Sequence, residues 1–176
     1  SEILKDFSDL GIVGEETNVL TGYLSLLSRK LSHSISIMLV GSDASQKDVF
    51  KDALLDTVPE ENLERFTKLS PQVLFYREEL SLKNRILVID DEGSLKELDY
   101  ILASLQNRGL SYSVTHKSPE TGKLRSHDYK VKGPVSIMVS ATGNPVRITT
   151  IRAGNIQSAL TGRSFPAGGT APVEQR

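Results

Sequence analysis

Three short, largely apolar segments restrict the fold of this sequence more than any other feature. They are Ser34–Val40, Arg85–Ile89 and Val135–Ser140, and helical patterns separate them along the chain. A strand that is apolar along its whole length has no face in water, so it belongs inside a parallel sheet that helices cover on both sides. The segments therefore predict an α/β fold with three layers, α/β/α, and a mostly parallel sheet.

Helical periodicity predicts three helices around these strands. The first covers residues 15–32, with Thr17 as its N-cap. The second covers Lys47–Thr57 and is ended by Pro59, and the third covers Ser94–Asn107. In the first helix, the apolar residues at helical spacing, which we expect to face the core, are Val19, Leu20, Tyr23, Leu24, Leu27 and Leu31.

Two segments in which polar and apolar residues alternate predict a β-hairpin. They are Leu110–Lys117 and Lys123–Val131, so the hairpin is inserted at about residues 110–132. Tyr112 and Tyr129 lie on its arms, where we expect them to be packing residues.

The sequence pattern indicates only two further elements in the C-terminal part of the chain. A strand over Val146–Ile151 and a short helix over Asn155–Leu160 follow the third apolar segment. Gly, Pro and Ala dominate from residue 161 onward, and such a composition has little to bury. We therefore expect one domain over residues 1–160 and a flexible tail over residues 161–176.

The composition excludes several classes of function. Lysine and arginine total 21 and aspartate and glutamate total 22, so the chain as a whole is not a basic surface for a polyanion. There is no cysteine, and the histidines are only His33, His116 and His127, which argues against a zinc site. Neither a membrane-spanning apolar run nor a signal sequence is present, so we expect a cytoplasmic protein without membrane contact.

Ligands in parallel sheets bind beyond the carboxyl ends of the strands, where this sequence has a candidate phosphate-binding loop. The loop follows the first apolar strand and has the spacing of the P-loop pattern G-x-x-x-x-G-K-[ST], with Gly41 and Lys47 in place. In a P-loop, backbone N–H groups and a helix N-terminus hold the phosphates, and the lysine contacts the β and γ oxygens. The candidate nucleotide-binding residues are Gly41, Ser42, Asp43, Ala44, Ser45, Gln46, Lys47 and Asp48.

Two residues depart from the P-loop pattern. Gln46 replaces the second glycine, where a side chain hinders the approach of phosphate to the backbone, and Asp48 replaces the Ser or Thr that binds magnesium. Repulsion between the Asp48 carboxylate and a polyphosphate would cost about 1–4 kcal/mol. A Mg²⁺ ion that bridges Asp48 and the nucleotide would offset part of this cost.

The second apolar strand ends in three acids, Asp90, Asp91 and Glu92, as a Walker B segment does. In that role one carboxylate holds Mg²⁺ and the next polarises the attacking water, which Thr142 or Asn144 would orient. The candidate catalytic residues are Asp90, Asp91, Glu92 and Asn144, and the candidate metal ligands are Asp90 and Asp48. The alternative is that any α/β domain has acids at its strand ends and a glycine in its first loop.

Beyond these motifs, the sequence resembles a known family from about Phe7 to Asn144. The similarity is to the ATPase module of bacterial CHC-type zinc-finger DNA primases and mobile-element primase-helicases, an AAA+ relative of replicative helicases. It is carried by DLGIVGEETNVLTGYLSLLSRKL, VFKDALLDTVPEE, SPQVLFY, YILASLQNRG and THKSPETGKLRSHDYKVKGPV. The family pattern S-S-x-A-G-K-S aligns its lysine with Lys47, its glycine with Gln46 and its serine with Asp48, so the Walker A loop is degenerate here.

The resemblance implies an AAA+-like P-loop fold, ATP and Mg²⁺ as cofactors, and a ring-forming homo-oligomer. The arginine finger and the small helical lid of the family are not recognisable in this sequence. Arg147 and Arg152 lie in the corresponding region without a motif to assign them.

The hairpin is the basic part of the chain. From Val114 to Lys132 it has five basic and two acidic residues, for a net charge of +3. It resembles the pre-sensor hairpin of related helicases, which implies contact with single-stranded DNA, with Lys117, Lys123 and Arg125 on the phosphates. The alternative is a solvated hairpin whose lysines protect an edge strand.

These observations together predict a degenerate P-loop domain of a DNA replication or primase-helicase type protein, with weak or absent ATP hydrolysis and DNA contact through the hairpin. One alternative is an active, Mg²⁺-dependent and DNA-dependent ATPase of a helicase motor, in which Lys47, Asp90 and Asp91 act on ATP. Another is a P-loop-derived protein interaction module that binds no nucleotide.

Overall fold

A five-stranded sheet is the centre of the fold. The computed structural model describes residues 2–90, 95–117, 123–143 and 147–151. Its helices are α1 (Glu2–Asp9), α2 (Glu16–Leu27), α3 (Ala44–Leu55), α4 (Pro71–Phe75) and α5 (Leu95–Asn107). Its strands are β1 (Ser36–Val40), β2 (Leu63–Phe66), β3 (Ile86–Ile89), β4 (Gly109–Lys117), β5 (Leu124–Lys132), β6 (Ser136–Ala141) and β7 (Arg147–Ile151).

The strand order in this sheet is β2-β3-β6-β1-β7, and all strands except β7 are parallel. The predicted α/β fold with a mostly parallel sheet is thereby confirmed. β7 pairs antiparallel with β1, because only five residues separate it from β6 and a parallel crossover needs about a dozen. β6 and β7 lie on the two sides of β1, and Gly143, shortly after β6, is hydrogen-bonded to Gly41 at the carboxyl end of β1.

Both faces of the sheet are buried under helices. Side chains alternate along each strand, so Ile37 and Leu39 of β1 pack with α1, α2 and α3, whereas Met38 and Val40 pack with α4 and α5. The helices α3 and α5, which follow β1 and β3, lie on opposite faces because the chain leaves these two strands toward opposite edges of the sheet. The carboxyl ends of β1 and β3, with β6 between them, are where a ligand crevice is expected.

Helix α2 packs through a different face from the one that the sequence predicts. Val19 and Leu26 are buried, but four of the leucines predicted to face the core are exposed. They are Leu20, Leu24, Leu27 and Leu31. The reason lies at Gly22, where a Cβ would come within 2.6 Å of a methyl carbon of Leu54 in α3. The helices approach most closely along the side that carries the glycine, and the leucines turn away.

Several helix boundaries differ from the sequence prediction, and α2 ends at Leu27, five residues before the predicted end at residue 32, because a 3-10 turn over Ser28–Lys30 follows it. α3 begins at Ala44, three residues before the predicted start at Lys47, because Asp43 caps the helix there. Thr17 is not the N-cap of α2, since the helix already begins at Glu16.

Some elements have no counterpart in the prediction. The sequence patterns do not indicate α1, β2 or α4, which are only eight, four and five residues long and so too short for a clear period. The predicted helix over Asn155–Leu160 and the tail over residues 161–176 lie outside the described residues. Among the helices that are described, none has the length and apolar character needed to cross a membrane.

The hairpin of β4 and β5 forms a separate two-stranded sheet between α5 and β6. Tyr112 and Tyr129 lie opposite each other in its register and stack with their ring centroids 5.4 Å apart. Phe75 of α4 packs 4.6 Å from the ring of Tyr112, and Tyr76 packs 5.4 Å from the ring of Tyr129. The hydrogen bond between Tyr76 and Tyr112 raises the pKa of Tyr112 to about 12. The two hairpin tyrosines are therefore packing residues, as expected from the sequence, and they hold the hairpin on α4.

The burial of α5 predicts a large contribution of Leu102 to stability. Leu102 is fully buried against the sheet, so Leu102→Ala should lower the free energy of unfolding by about 2–5 kcal/mol. Tyr100 is on the same helix but is 81% exposed, and Tyr100→Ala should lower it by less than about 0.5 kcal/mol. Urea unfolding followed by circular dichroism measures both values. Equal losses in the two variants would contradict this assignment of the buried face.

Candidate functional site

The loop after β1 is short, and its backbone is already hydrogen-bonded to neighbouring residues. Only Gly41, Ser42 and Asp43 lie between β1 and α3. The N–H of Gly41 donates to the carbonyl of Ala141 (3.2 Å), and the carbonyl of Gly41 accepts from the N–H of Gly143 (3.3 Å). The turn after β6 therefore lies directly against the start of the candidate phosphate-binding loop.

Asp43 occupies the N-terminus of α3. Its carboxylate accepts a hydrogen bond from the N–H of Gln46 (3.3 Å), and its carbonyl accepts one from the N–H of Lys47 (3.1 Å). A helix N-terminus attracts phosphate through its unpaired N–H groups and its dipole. Here a carboxylate of the chain itself already binds at that place. The spacing Asp-x-x-Gln, which resembles a capping box, was a signal for this arrangement in the sequence.

Lys47 and Asp90 both reach the carboxyl end of β6. The Nζ of Lys47 donates to the carbonyl of Ala141 (3.3 Å), and the Oγ of Ser140 donates to Oδ1 of Asp90 (3.4 Å). The N–H of Asp90 donates to the carbonyl of Phe66 (3.1 Å), which ties the residue to the end of β2. The two predicted side chains thus contact successive residues of one strand, at the same edge of the sheet.

A second lysine, Lys51, forms the centre of the site. Its side chain is only 10% exposed, and its ammonium donates to Oδ1 of Asp90 (2.8 Å) and to Oδ1 of Asp48 (3.1 Å). Burial acts to lower the pKa of Lys51, but the hydrogen bonds to Asp90 and Asp48 outweigh burial, so the pKa is raised above its ordinary value. One cation therefore joins two carboxylates that lie far apart in the sequence.

The described residues fit a magnesium site poorly. Asp48 and Asp90 are the predicted metal ligands, and each uses Oδ1 to bind Lys51. A divalent cation needs several oxygen ligands that are not already engaged, and the single positive charge of Lys51 already binds one oxygen of each carboxylate. Within the described part of the chain, no three His, Asp or Glu side chains come together as a metal site would require.

The other predicted nucleotide-site residues are placed only in part. Three predicted catalytic residues lie outside the described ranges, namely Asp91, Glu92 and Asn144. Ala44 and Ser45 are the first two residues of α3, Ser42 is exposed in the loop, and Thr142 directly follows β6.

The predicted DNA-contacting residues lie at the distal end of the hairpin. Lys117 is the last residue of β4 and Lys123 directly precedes β5, and both are exposed. Arg125 lies opposite His116 in the register. Because side chains alternate along a strand, Lys117 and Lys130 belong to the face opposite the packed tyrosines. The structure therefore separates these two lysines from the aromatic side chains.

The sequence prediction does not include Lys51, because the P-loop pattern ends at Asp48. The chain does contain a signal for it. Lys47, Lys51 and the buried Leu55 follow one another at intervals of four residues, which places all three on the same side of a helix. A lysine on the buried side of a helix needs an acidic partner, and Asp90 was the nearest candidate at the sheet edge.

Comparisons with known proteins do not assign a family. No protein-family model matches the chain, and no curated protein matches it significantly. Functional inference therefore depends on the geometry of the site.

The bonds of Lys51 predict a stability loss on its removal. Lys51→Met leaves Asp48 and Asp90 without their cation and should lower the free energy of unfolding at neutral pH by about 1–3 kcal/mol. Because the pKa of Lys51 is raised in the folded state, this contribution should be complete below the ordinary lysine pKa of about 10.4. It should decline as the pH rises through the higher folded-state pKa. Urea unfolding at a series of pH values measures the difference.

Lys47→Met is the matched control, since Lys47 lies on the same helix and donates only to a carbonyl. It should cost less than about 1 kcal/mol. A loss for Lys51→Met no greater than for Lys47→Met would show that the link to the two carboxylates is not formed.

Proposed function

We propose that this chain is a degenerate, AAA+-like P-loop domain of a DNA replication or primase-helicase type protein, with weak or absent ATP hydrolysis. The observation that carries the proposal is the bond of the Lys51 ammonium to both Asp48 and Asp90. In an active P-loop ATPase, a carboxylate at the end of the neighbouring strand helps to hold Mg²⁺, which neutralises charge on the transferred phosphate. Here the Lys51 ammonium binds these carboxylates in place of Mg²⁺ and stabilises the domain without a metal.

The N-terminus of α3 supports the same conclusion. A phosphate that approached it would have to displace the Asp43 carboxylate from the N–H of Gln46. It would also meet two negative charges, those of Asp43 and Asp48, at short range. Both effects lower the affinity for nucleotide, and they act before any step of hydrolysis.

An active ATPase is the second candidate, and one observation favours it. The side chains of Lys47 and Asp90 lie at the same edge of the sheet and contact successive residues of β6, Ala141 and Ser140. In that case nucleotide and Mg²⁺ would have to displace Lys51 from Asp90 on binding, so affinity would increase when Lys51 is removed.

The hairpin is the proposed DNA-contacting element. Its base is held by the salt bridge between Lys132 and Glu79 (2.8 Å), and the packed tyrosines hold its arms on α4. Lys117, Lys123 and Lys130 remain exposed. A fixed, basic β-ribbon can follow the phosphates of a single strand.

Nucleotide binding is the first test. We expect no saturable rise in melting temperature with millimolar Mg²⁺ and ATP. A ligand present at 100 times its Kd adds about 2.7 kcal/mol, which corresponds to a rise of about 5–10 °C for a domain of this size. A rise of that size, together with ATP hydrolysis that Lys47→Ala abolishes, would overturn the proposal in favour of an active ATPase.

A gain of binding tests the physical cause. Asp43→Gly, Gln46→Gly and Asp48→Ser combined remove the carboxylate cap, the obstructing side chain and one like charge, so nucleotide affinity should appear or increase at least about tenfold. Asp52→Ser with Asp56→Ser, one in the last turn of α3 and one directly after the helix, is the matched control for the change in charge and should have no such effect.

DNA binding is the second test, measured by fluorescence anisotropy with a labelled single-stranded oligonucleotide. Lys117→Glu with Lys123→Glu should weaken binding, and removal of two phosphate contacts should reduce the slope of log K against log salt by about 1.4. Lys5→Glu with Lys83→Glu makes the same change in net charge on exposed residues outside the hairpin. Equal effects of the two pairs would exclude the hairpin as the contact surface.

A further inference from the structure

The outer side of α2 carries a stripe of leucines that the described part of the chain leaves uncovered. The leucine stripe consists of Leu20, Leu24 and Leu27, which are 37%, 59% and 43% exposed, and Leu31, 61% exposed, follows the helix in extended backbone. The three members are four and three residues apart, the spacing of a helix seam that packs against another helix. Single exposed leucines are ordinary, but a continuous apolar face marks an interaction site.

The leucine stripe is not needed to hold α2 on the domain. The helix already buries Val19 and Leu26, and it approaches α3 through Gly22. Glu16 and Lys30 are the charged residues at the two ends of this segment. The exposed residues between them are leucines and one threonine. Exposure of such a face to water is unfavourable, so the stripe is suited to burial against a partner.

We propose that the leucine stripe packs against the same stripe of a second copy of this chain, with the two helices antiparallel. A two-fold pair requires a surface that is complementary to itself, so that each contact occurs twice. Antiparallel pairing around Leu24 sets Leu20 of one copy against Leu27 of the other, and the reverse contact follows by symmetry. Contacts between Leu20 and Leu27 therefore lie on both sides of the two-fold axis, and the two Leu24 side chains lie beside it.

The charges at the two ends of the leucine stripe favour this direction. Glu16 lies in the first turn of α2, and Lys30 lies in the 3-10 turn that follows the helix. Both are exposed. Antiparallel pairing brings Glu16 of one copy near Lys30 of the other at both ends, and it also opposes the two helix dipoles favourably. Parallel pairing would place like charges together.

A membrane surface is a poorer partner for this face. Helices that lie on anionic membranes have several basic residues beside their apolar side, whereas the exposed residues from Glu16 to Lys30 include one acid and one base. The proposed pairing needs neither nucleotide nor DNA, so it stands apart from the proposed function.

Sedimentation velocity over a wide concentration range tests the pairing. We expect a reversible monomer–dimer equilibrium in the unmodified chain. Leu24→Glu should raise the dimer Kd at least about tenfold and leave the circular dichroism spectrum and melting temperature nearly unchanged, because Leu24 is exposed. Leu80→Glu, at a residue 60% exposed in the turn before β3, is the matched control and should leave the dimer unaffected.

Two further variants test the direction of the helices. Glu16→Lys should weaken the dimer, and Glu16→Lys combined with Lys30→Glu should restore it, which only the antiparallel arrangement explains. The chain contains no cysteine, so Leu24→Cys introduces a single thiol at the centre of the pair and should form an intermolecular disulfide readily under oxidising conditions, whereas Tyr100→Cys should not.

Several results would overturn the proposal. These are a chain that stays monomeric at the highest attainable concentration, a dimer that Leu24→Glu does not weaken, or a charge exchange that restores nothing. A monomer in which the thiol of Leu24→Cys resists a soluble thiol reagent would point instead to cover by residues 152–176 of the same chain.

Discussion

The central strands β1, β3 and β6 are buried on both faces, and this burial decides where the other elements lie. Because each strand presents apolar side chains in both directions, helices must cover both sides of the sheet. α1, α2 and α3 cover one side, and α4 and α5 cover the other. Because these strands are also parallel, their carboxyl ends share one edge of the sheet. The polar residues that follow them, Lys47 and Asp90 among them, are brought together there by the architecture itself.

At that edge the decisive interaction is the link from Lys51 to Asp48 and Asp90. Burial of a lysine is unfavourable unless acidic partners compensate it, and the two carboxylates do so well enough to raise its pKa. The same bonds connect α3 to the end of β3. A P-loop ATPase uses this region to bind Mg²⁺ and phosphate, whereas here protein charges satisfy one another. Together with the Asp43 cap, this is the physical basis for the proposal that the domain binds nucleotide weakly or not at all.

Local patterns were sufficient for part of the fold. The three apolar strands, the helices near them and the hairpin were all predictable, because each depends on the period of its own segment. The face of α2 was not, since Gly22 allows a close approach to Leu54 that no pattern within the helix reveals. The predicted start of α3 is three residues late, because the P-loop pattern treats residues 44–46 as loop whereas the Asp43 cap makes them the first turn of the helix. In the site, Asp90 was predictable from its place after a buried strand, whereas Lys51 was not recognised as its partner.

The sequence by itself determined the α/β class, the alternation of strands and helices, and which residue types follow each strand, because these depend on neighbours within one segment. Only the tertiary structure decided which lysine binds the acids, that β7 runs antiparallel to β1, and that the leucine stripe of α2 faces outward. Each of these depends on the shape and charge of segments distant in the chain. Periodicity can state that a helix has an apolar face, but the surface packed against the helix decides whether that face is buried.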